Sequence, residues 1–238
     1  MIPRKIHYCW FGPAPLSPLA RTCIESWHKY MPDYEFKLWD ESNSGFEEND
    51  YAREAYEARK FAFVSDYVRL KALKEEGGIY LDTDVEVFKP FDGLLETKAF
   101  AGFEGSKHCP VGTCVLGSEA GGEWVSGMLQ AYQGRHFIKP DGSMDLTTNV
   151  VFITDILKAG GLRTDGTLQT FKDLTIFPVE WFSPRLTTGE YVRTDNTFSD
   201  HHGVASWREG ASLKSKILGL LGQKAATGII KLKRRILG

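Results

Sequence analysis

The chain has 238 residues, 42% of them hydrophobic and 25% charged, so it is long enough to bury a full core and has the composition of a soluble globular protein. Its net charge of −2 gives no reason to expect a nucleic-acid partner. Seven of the 29 Lys and Arg residues lie in 212–238, which has no acid, and the other 22 face 31 acids, giving residues 1–211 a net charge of −9. We therefore predict one domain over 1–211 and a separate basic segment over 212–238.

The amino-terminal residues lack the long apolar run of a secretory signal, and no stretch approaches the ~20 apolar residues that span a bilayer. We therefore expect a cytoplasmic protein whose cysteines are free thiols. The four cysteines form no CxxC motif and fit no common zinc spacing, and pairing of Cys109 with Cys114 stays open.

The first predicted strand is a short apolar run, Lys5 to Phe11, that ends at Gly12-Pro13. Ligands of an α/β sheet lie at the carboxyl ends of its strands, so Trp10 could stack on a nucleobase there. A core position for this tryptophan is the alternative. Residues 16–31 then carry a helical apolar stripe, and the alternating residues 34–39 predict a second strand.

A helix followed directly by a strand is predicted within residues 60–86. Asp66 and Arg69 are three residues apart and therefore neighbours on the helix surface. Gly77-Gly78 ends the helix, because glycine adopts the left-handed conformation at little steric cost. Ile79 to Leu81 then begin a buried strand.

Asp82 and Asp84 follow that strand, and carboxylates two residues apart on an extended chain point to the same side. Two like charges this close raise each other's pKa unless a cation lies between them, and Mg2+ and Mn2+ prefer such oxygen ligands. These ions also keep coordination positions open for phosphate oxygens, so the pair predicts a metal–diphosphate site. An isolated Asp-x-Asp pair is also common in turns, and the preceding helix and strand are what favour the functional interpretation.

Further along the chain, Asn149 could meet a sugar hydroxyl or could cap a helix. His201 and His202 could each be a divalent-metal ligand or a surface loop residue. The segment 212–238 alternates basic and aliphatic residues, which predicts either peripheral contact with an anionic membrane or a terminal helix packed on the domain. The remaining predicted strands cover 85–88, 99–104, 111–117 and 174–178, and the remaining helices cover 47–56, 124–132 and 150–157.

Three stretches, in this order along the chain, resemble the family 32 glycosyltransferases: Ile2 to Gly12, Ser65 to Asp84, and His201 to Trp207. This DXD-containing family includes sugar transferases of bacterial capsular polysaccharide and yeast mannosyltransferases. The glucosyltransferase domains of large clostridial toxins carry a similar string. Together the stretches extend over nearly the whole predicted domain.

The resemblance implies a GT-A-like α/β fold, with a Rossmann-type nucleotide-binding sheet of largely parallel strands flanked by helices. It also implies a retaining, Mn2+- or Mg2+-dependent transfer of a hexose from a nucleotide diphosphate sugar. The expected donor is a UDP-hexose, with GDP-mannose as the second choice, and the expected acceptor is a surface-polysaccharide or lipid-linked glycan. A nucleotide-sugar-binding or hydrolysing relative without a glycan acceptor is the alternative function.

The resemblance further implies a role for each site residue. Asp82 and Asp84 hold the cation with His202 as a further ligand, Asp66 accepts hydrogen bonds from the donor sugar, and Arg69 holds the sugar or phosphate. Other expected donor contacts are Trp10 and Tyr80 at the nucleoside, together with Cys9, Ser65, Asn149, Ser206 and Trp207.

Overall fold

The computed structural model describes residues 1–105 and 109–203 of the chain. The strands are β1 (Lys5–Cys9), β2 (Glu35–Trp39), β3 (Gly78–Leu81), β4 (Val85–Val87), β5 (Ala99–Phe103), β6 (Val111–Ser118), β7 (Gln169–Phe171), β8 (Leu174–Phe177) and β9 (Ser199–His201). The α-helices are α1 (Pro18–Tyr30), α2 (Asp50–Glu57), α3 (Phe61–Glu76), α4 (Glu123–Gln130), α5 (Asn149–Ala159) and α6 (Val179–Phe182). The predicted elements are confirmed, and β7, α6 and β9 are three short elements that the sequence pattern did not predict.

Seven strands form a central mixed sheet in the order β2-β1-β3-β6-β5-β8-β7. Strand β1 runs parallel to both β2 and β3, and β5 runs parallel to β8. The β3–β6, β5–β6 and β7–β8 pairs are antiparallel. The predicted α/β class is therefore confirmed, and the parallel β2-β1-β3 half of the sheet carries the predicted ligand edge.

Helices cover both faces of this sheet, and each interface has its own apolar core. One core contains residues of α2, α3, α4 and α5, whereas the other contains residues of α1, β4 and α6. Strands buried on both faces read as continuous apolar runs, which explains why β3 and β5 contain no polar side chain other than the hydroxyl of Tyr80. Polar residues follow directly at the carboxyl ends of β3 and β5, where Asp82 and Glu104 lie.

Two glycines set the tight junction between α3 and β3. Gly77 has φ 64° and Gly78 has φ 105°, both in the region that favours glycine. A Cβ at Gly77 would lie 2.7 Å from the backbone nitrogen of Ala120, and one at Gly78 would lie 2.7 Å from the carbonyl oxygen of Lys5. The predicted helix stop is thus confirmed, and it brings the end of β3 close to the middle of α3.

A second, two-stranded sheet pairs β4 with β9 beyond the end of β3, with Val85 opposite His201. Among the described residues, none of the helices combines the length and the apolar character needed to cross a bilayer. Residues 212–238 lie outside the described residues, so the boundary at 211 and the membrane contact of the basic segment stay predictions.

Candidate functional site

The aspartate pair lies in a tight turn between β3 and β4. The backbone N–H of Val85 donates to the carbonyl of Asp82 at 3.0 Å, so Asp82 and Asp84 occupy a turn and not the extended strand predicted for them. The hydroxyl of Tyr80 donates to Oδ1 of Asp82 at 2.8 Å, and Nη2 of Arg69 lies 3.3 Å from the same oxygen. Asp82 is therefore fixed by two buried neighbours.

His201 joins this pair because β9 is paired with β4. Its Nε2 atom lies 3.4 Å from Oδ1 of Asp84, and one ligand atom from each of Asp82, Asp84 and His201 lies within 4.8 Å of the other two. Two carboxylates and an imidazole are a donor set suited to Mn2+ or Mg2+. These three residues therefore fit the divalent cation that the DXD pattern predicts.

His202, the histidine predicted as a ligand, directly follows β9 and contacts a different carboxylate. Its Nε2 lies 3.2 Å from Oε2 of Glu86, and its Nδ1 has no hydrogen-bond partner among the described residues. Successive residues of a strand point to opposite faces, so only one of the two adjacent histidines can face the aspartates. In the structure, His201 lies beside the aspartates, in the position that was predicted for His202.

Arg69 is enclosed by protein oxygens at the centre of the site. Its Nη2 lies 2.9 Å from Oδ1 of Asp66, and its other nitrogens donate to the carbonyls of Thr113 (2.8 Å) and Ser65 (3.2 Å). The guanidinium also lies 4.6 Å from the centroid of the Tyr80 ring. Each guanidinium nitrogen thus faces a protein oxygen, so Arg69 holds Asp66 and Asp82 in position. This arrangement differs from the predicted direct contact of Arg69 with sugar or phosphate.

Asp66 is the buried carboxylate of helix α3 and retains 13% of its side-chain surface. Burial raises its pKa to about 6, an increase that the charge of Arg69 opposes. The backbone N–H of Asn149, at the first turn of α5, donates to Oδ2 of Asp66 at 3.3 Å. A helix amino terminus favours a carboxylate, so the fold keeps Asp66 available as a charged acceptor at neutral pH.

Asn149 acts on Asp66 and is itself buried. Its Nδ2 donates to the backbone carbonyl of Asp66 at 3.2 Å, and its Oδ1 accepts from the hydroxyl of Tyr132 at 3.2 Å. The side chain of Thr148, at the N-cap position of α5, makes no capping hydrogen bond. Asn149 therefore positions Asp66, whereas the sequence allowed it either a sugar contact or a capping role.

The other predicted donor contacts divide between the interior and the surface. Tyr80 and Cys9 are buried, so neither side chain presents a surface to a nucleoside. Burial also raises the pKa of the Cys9 thiol to about 12. Ser65 is half-buried and donates from its hydroxyl to the carbonyl of Phe61 at 3.2 Å. Trp10 is half-buried in the loop after β1, where its Nε1 donates to the carbonyl of Ala14. Trp10 is thus the one aromatic residue among these four that is partly exposed, and its contact with a base stays a prediction. Ser206 and Trp207 lie outside the described residues.

Glu104 is a further acidic residue beside the aspartate turn that the sequence analysis did not predict. It follows β5 directly, and burial raises the pKa of its carboxyl, an effect that His201 opposes and Asp82 reinforces. For His201, burial opposes the charge, but Cys114 and Asp84 hold its pKa well above the usual value. The sequence did contain an indication of Glu104, because this acidic residue follows a buried strand directly, as Asp82 does.

Sequence comparison matches a known region to the part of the chain that contains the aspartate turn and the Asp66–Arg69 pair. A family model described as "Glycosyltransferase sugar-binding region containing DXD motif" matches residues 17–101, which include Asp66, Arg69, Asp82 and Asp84. The chain is 36% identical over 83 residues to "Glucan organizing enzyme 1" of Cryptococcus neoformans var. grubii, a match that covers 32% of this chain and 23% of that protein. It is 35% identical over 106 residues to "Inositol phosphoceramide mannosyltransferase 3" of Schizosaccharomyces pombe, covering 42% and 29% respectively.

The chain thus spans about a quarter of the length of these curated relatives. Among solved structures, the fold is similar to that of the "PaToxG Glycosyltransferase", with a TM-score of 0.53 and 18% identity over 67% of this chain and 70% of that one. The part of the chain that holds the aspartates therefore matches a glycosyltransferase sugar-binding region, within a fold that a glycosyltransferase also adopts.

Proposed function

We propose that this chain transfers a hexose from a nucleotide diphosphate sugar to a glycan or lipid-linked acceptor, in a reaction that depends on a divalent cation. The observation that carries the proposal is the convergence of Asp82, Asp84 and His201, with ligand atoms within 4.8 Å of one another, beside the buried Asp66–Arg69 pair. The match of residues 17–101 to a DXD sugar-binding region supports the same chemistry.

Asp82, Asp84 and His201 would hold Mn2+ or Mg2+ at the end of β3. When bound, such an ion offsets the negative charge that develops on a departing diphosphate. The surrounding residues would hold the carboxylates of Asp82 and Asp84 in one orientation before the donor binds. Arg69 and the hydroxyl of Tyr80 do this for Asp82, through contacts of 3.3 Å and 2.8 Å.

Asp66 would orient the donor sugar by accepting hydrogen bonds from its hydroxyl groups. An ionised carboxylate accepts such bonds more strongly than a neutral acid, and both Arg69 and the amino terminus of α5 favour the ionised form. Trp10, at the carboxyl end of β1, would stack on the nucleobase. A tryptophan plane accepts uracil or guanine, and we expect a UDP-hexose before GDP-mannose.

We further propose that transfer retains the anomeric configuration. No carboxylate is assigned as a nucleophile, so the acceptor hydroxyl would attack from the face that the diphosphate leaves. An oxygen of the departing diphosphate would take the acceptor's proton as the new glycosidic bond forms. Asp66 and Arg69 contribute by fixing the sugar and the aspartate turn, which keeps the two reacting groups aligned.

Two observations support a lipid-linked or surface-glycan acceptor. The Schizosaccharomyces pombe relative is, by its name, a mannosyltransferase of inositol phosphoceramide, which supports a hexose donor and a lipid-linked acceptor. The seven basic residues of 212–238 would hold such an enzyme at an anionic membrane surface, and capsule or other surface-polysaccharide synthesis is the setting we expect for it.

The test is nucleotide release from UDP- and GDP-sugars in the presence of Mn2+, measured with and without candidate glycan acceptors. Transfer predicts release that an acceptor accelerates, with incorporation of the sugar into that acceptor. Release that no acceptor accelerates would instead establish a nucleotide-sugar hydrolase. An absence of metal-dependent release from every nucleotide sugar would defeat the proposal.

A further inference from the structure

A second cluster of metal-binding side chains lies directly beside the aspartate site. One ligand atom from each of Glu104, Cys114 and His201 lies within 4.8 Å of the other two. Glu104 follows β5, Cys114 is a buried residue of the adjacent strand β6, and His201 comes from β9. Three elements that are far apart in sequence thus present a carboxylate, a thiol and an imidazole to one point.

An irregularity in the sheet aims Cys114 at this point. Along the β5–β6 pair, Ala101 is opposite Leu116 but Gly102 is opposite Gly112, so Thr113 to Val115 have no partner on β5 and form a bulge-like irregularity. Bulges re-aim side chains and are frequent next to active sites. The bulge also joins the two clusters, because the carbonyl of Cys114 accepts from the backbone N–H of Asp82 at 2.9 Å.

The two clusters differ in ligand softness. Asp82 and Asp84 offer hard oxygen ligands, whereas a thiolate beside an imidazole and a carboxylate is a donor set for Zn2+. We propose that Glu104, Cys114 and His201 form a Zn2+ site that shares His201 with the aspartate site. Ligand atoms around a tetrahedral zinc lie about 3.3–3.8 Å apart, given bonds of about 2.0–2.3 Å, so small side-chain movements complete the geometry.

The surroundings of Cys114 and Glu104 suit this assignment. The Oγ atom of Ser183, a buried residue, lies 3.4 Å from Sγ of Cys114 and can donate a hydrogen bond to the thiolate form. Gly112 leaves room for the carboxylate, because a Cβ at that position would lie 3.0 Å from Oε2 of Glu104. Three protein ligands leave a fourth position for water.

Sharing of His201 has a functional consequence, which rests on the function proposed above. Both donor sets need the imidazole of His201, so Zn2+ bound by Glu104 and Cys114 withdraws that ring from the aspartates. Zn2+ therefore inhibits the Mn2+-dependent reaction in the wild-type chain. The inhibition requires the thiolate of Cys114.

The direct test uses Co2+ as a spectroscopic substitute for Zn2+ on the full, metal-free chain and does not depend on any enzymatic activity. We expect the wild type to show a near-ultraviolet thiolate-to-cobalt charge-transfer band that Zn2+ abolishes. The band is lost in Cys114→Ser and kept in Cys109→Ser, the matched control. Bound Co2+ without that band, or a band that survives in Cys114→Ser, would overturn the proposal.

Competition titrations with a zinc chelator give an independent measurement that does not rely on one variant. Loss of an outer-shell partner alone weakens metal binding by about 10–100-fold, so loss of the Glu104 ligand in Glu104→Gln should weaken Zn2+ binding at least as much. The thiolate band should persist in that variant at higher Co2+ concentration. Unchanged Zn2+ affinity in correctly folded Glu104→Gln and Cys114→Ser would refute the site, whatever the transfer assays show.

Discussion

The Nη2 atom of Arg69 lies 3.3 Å from Oδ1 of Asp82, so a buried guanidinium on α3 fixes the first aspartate of the pair. The same nitrogen lies 2.9 Å from Asp66. One cation therefore holds two carboxylates from different elements and offsets the like-charge repulsion between them. The contacts that hold Asp66 and Asp82 in place therefore converge on one residue.

Replacement of Arg69 should destabilise the fold. Arg69→Met leaves the carboxylates of Asp66 and Asp82 without their shared partner, and breaking a buried ion pair costs about 3–5 kcal/mol. Arg69→Lys keeps the charge but loses the planar fork that reaches both oxygens, so we expect an intermediate loss. Urea denaturation of both variants measures these changes in the free energy of unfolding.

Arg53 supplies the matched control for this prediction. It makes exposed ion pairs with Asp50 and Glu57 on α2, and exposed pairs contribute about 0–1 kcal/mol. Arg53→Met should therefore leave the free energy of unfolding nearly unchanged. Equal stability of Arg69→Met and Arg53→Met would show that the buried network does not hold the site together.

Neutralising Asp66 should stabilise the metal-free protein at neutral pH while removing activity. Burial raises the pKa of Asp66 from 3.8 to about 6, so the folded chain binds a proton more tightly than the unfolded chain. The free energy of unfolding then falls as the pH rises from about 3.8 through about 6 and stays low above that. Asp66→Asn avoids this penalty, which is at most about 3 kcal/mol, and unlike Arg69→Met it leaves no buried charge unpaired, because Arg69 keeps Asp82 as its partner.

Urea denaturation in EDTA at pH 7.5 and pH 4.5 measures the effect of Asp66→Asn. The variant should be the more stable protein at pH 7.5, and its advantage should shrink at pH 4.5. A variant that is less stable than wild type at pH 7.5, or an advantage independent of pH, would contradict the assigned environment of Asp66.

The two adjacent histidines should differ in their effect on Mn2+ binding. His201 lies 3.4 Å from Asp84, whereas His202, which directly follows β9, lies 3.2 Å from Glu86. His201→Ala should weaken Mn2+ binding at least tenfold, about 1.4 kcal/mol, and His202→Ala should change it little. Electron paramagnetic resonance of free Mn2+ during titration gives both affinities, and the opposite order would restore His202 as the ligand.

His7 should make the fold sensitive to mild acid. Its Nε2 lies 2.7 Å from the carbonyl of Gly77, its Nδ1 accepts from Nε1 of Trp39 at 3.0 Å, and burial lowers its pKa. The unfolded chain therefore binds the proton more tightly, so this contribution to stability is present above about pH 6.5 and is lost as the pH falls below that.

Thermal melting of wild type and His7→Gln between pH 7.5 and pH 5 checks this prediction. Asp66 acts in the opposite direction over this range, so the quantity to compare is the difference between the two proteins at each pH. The stability of wild type relative to His7→Gln should fall as the pH falls. A difference that is constant with pH would mean that His7 does not titrate in the folded state as described.

Much of the site was predictable because its centre is local in sequence. The α3–β3 stretch contains Asp66, Arg69, Asp82 and Asp84 within 19 residues, and periodicity with the glycine pair fixes both elements. Helix and strand ends differ only slightly from prediction, as for α1, predicted over 16–31 and observed over Pro18–Tyr30.

The rest depended on long-range pairing that sequence patterns do not encode. The choice of His201 over His202 is set by the register of β9 on β4, where a shift of one residue would exchange their faces. Glu104 reaches the site because the sheet order places β6 between β3 and β5. Tyr80 was predicted to meet the nucleoside, but its strand is covered on both faces, so its ring is buried against Arg69 and its hydroxyl bonds to Asp82.

The most direct test of the account is calorimetric titration of UDP- and GDP-sugars into wild type and Asp84→Asn, each with Mn2+ and with EDTA. We expect wild type to bind a nucleotide sugar in Mn2+ and to bind it at least tenfold, about 1.4 kcal/mol, more weakly in EDTA. Asp84→Asn in Mn2+ should bind as weakly as wild type in EDTA. Equal affinity under all four conditions, or no binding of any nucleotide sugar to wild type, would contradict it.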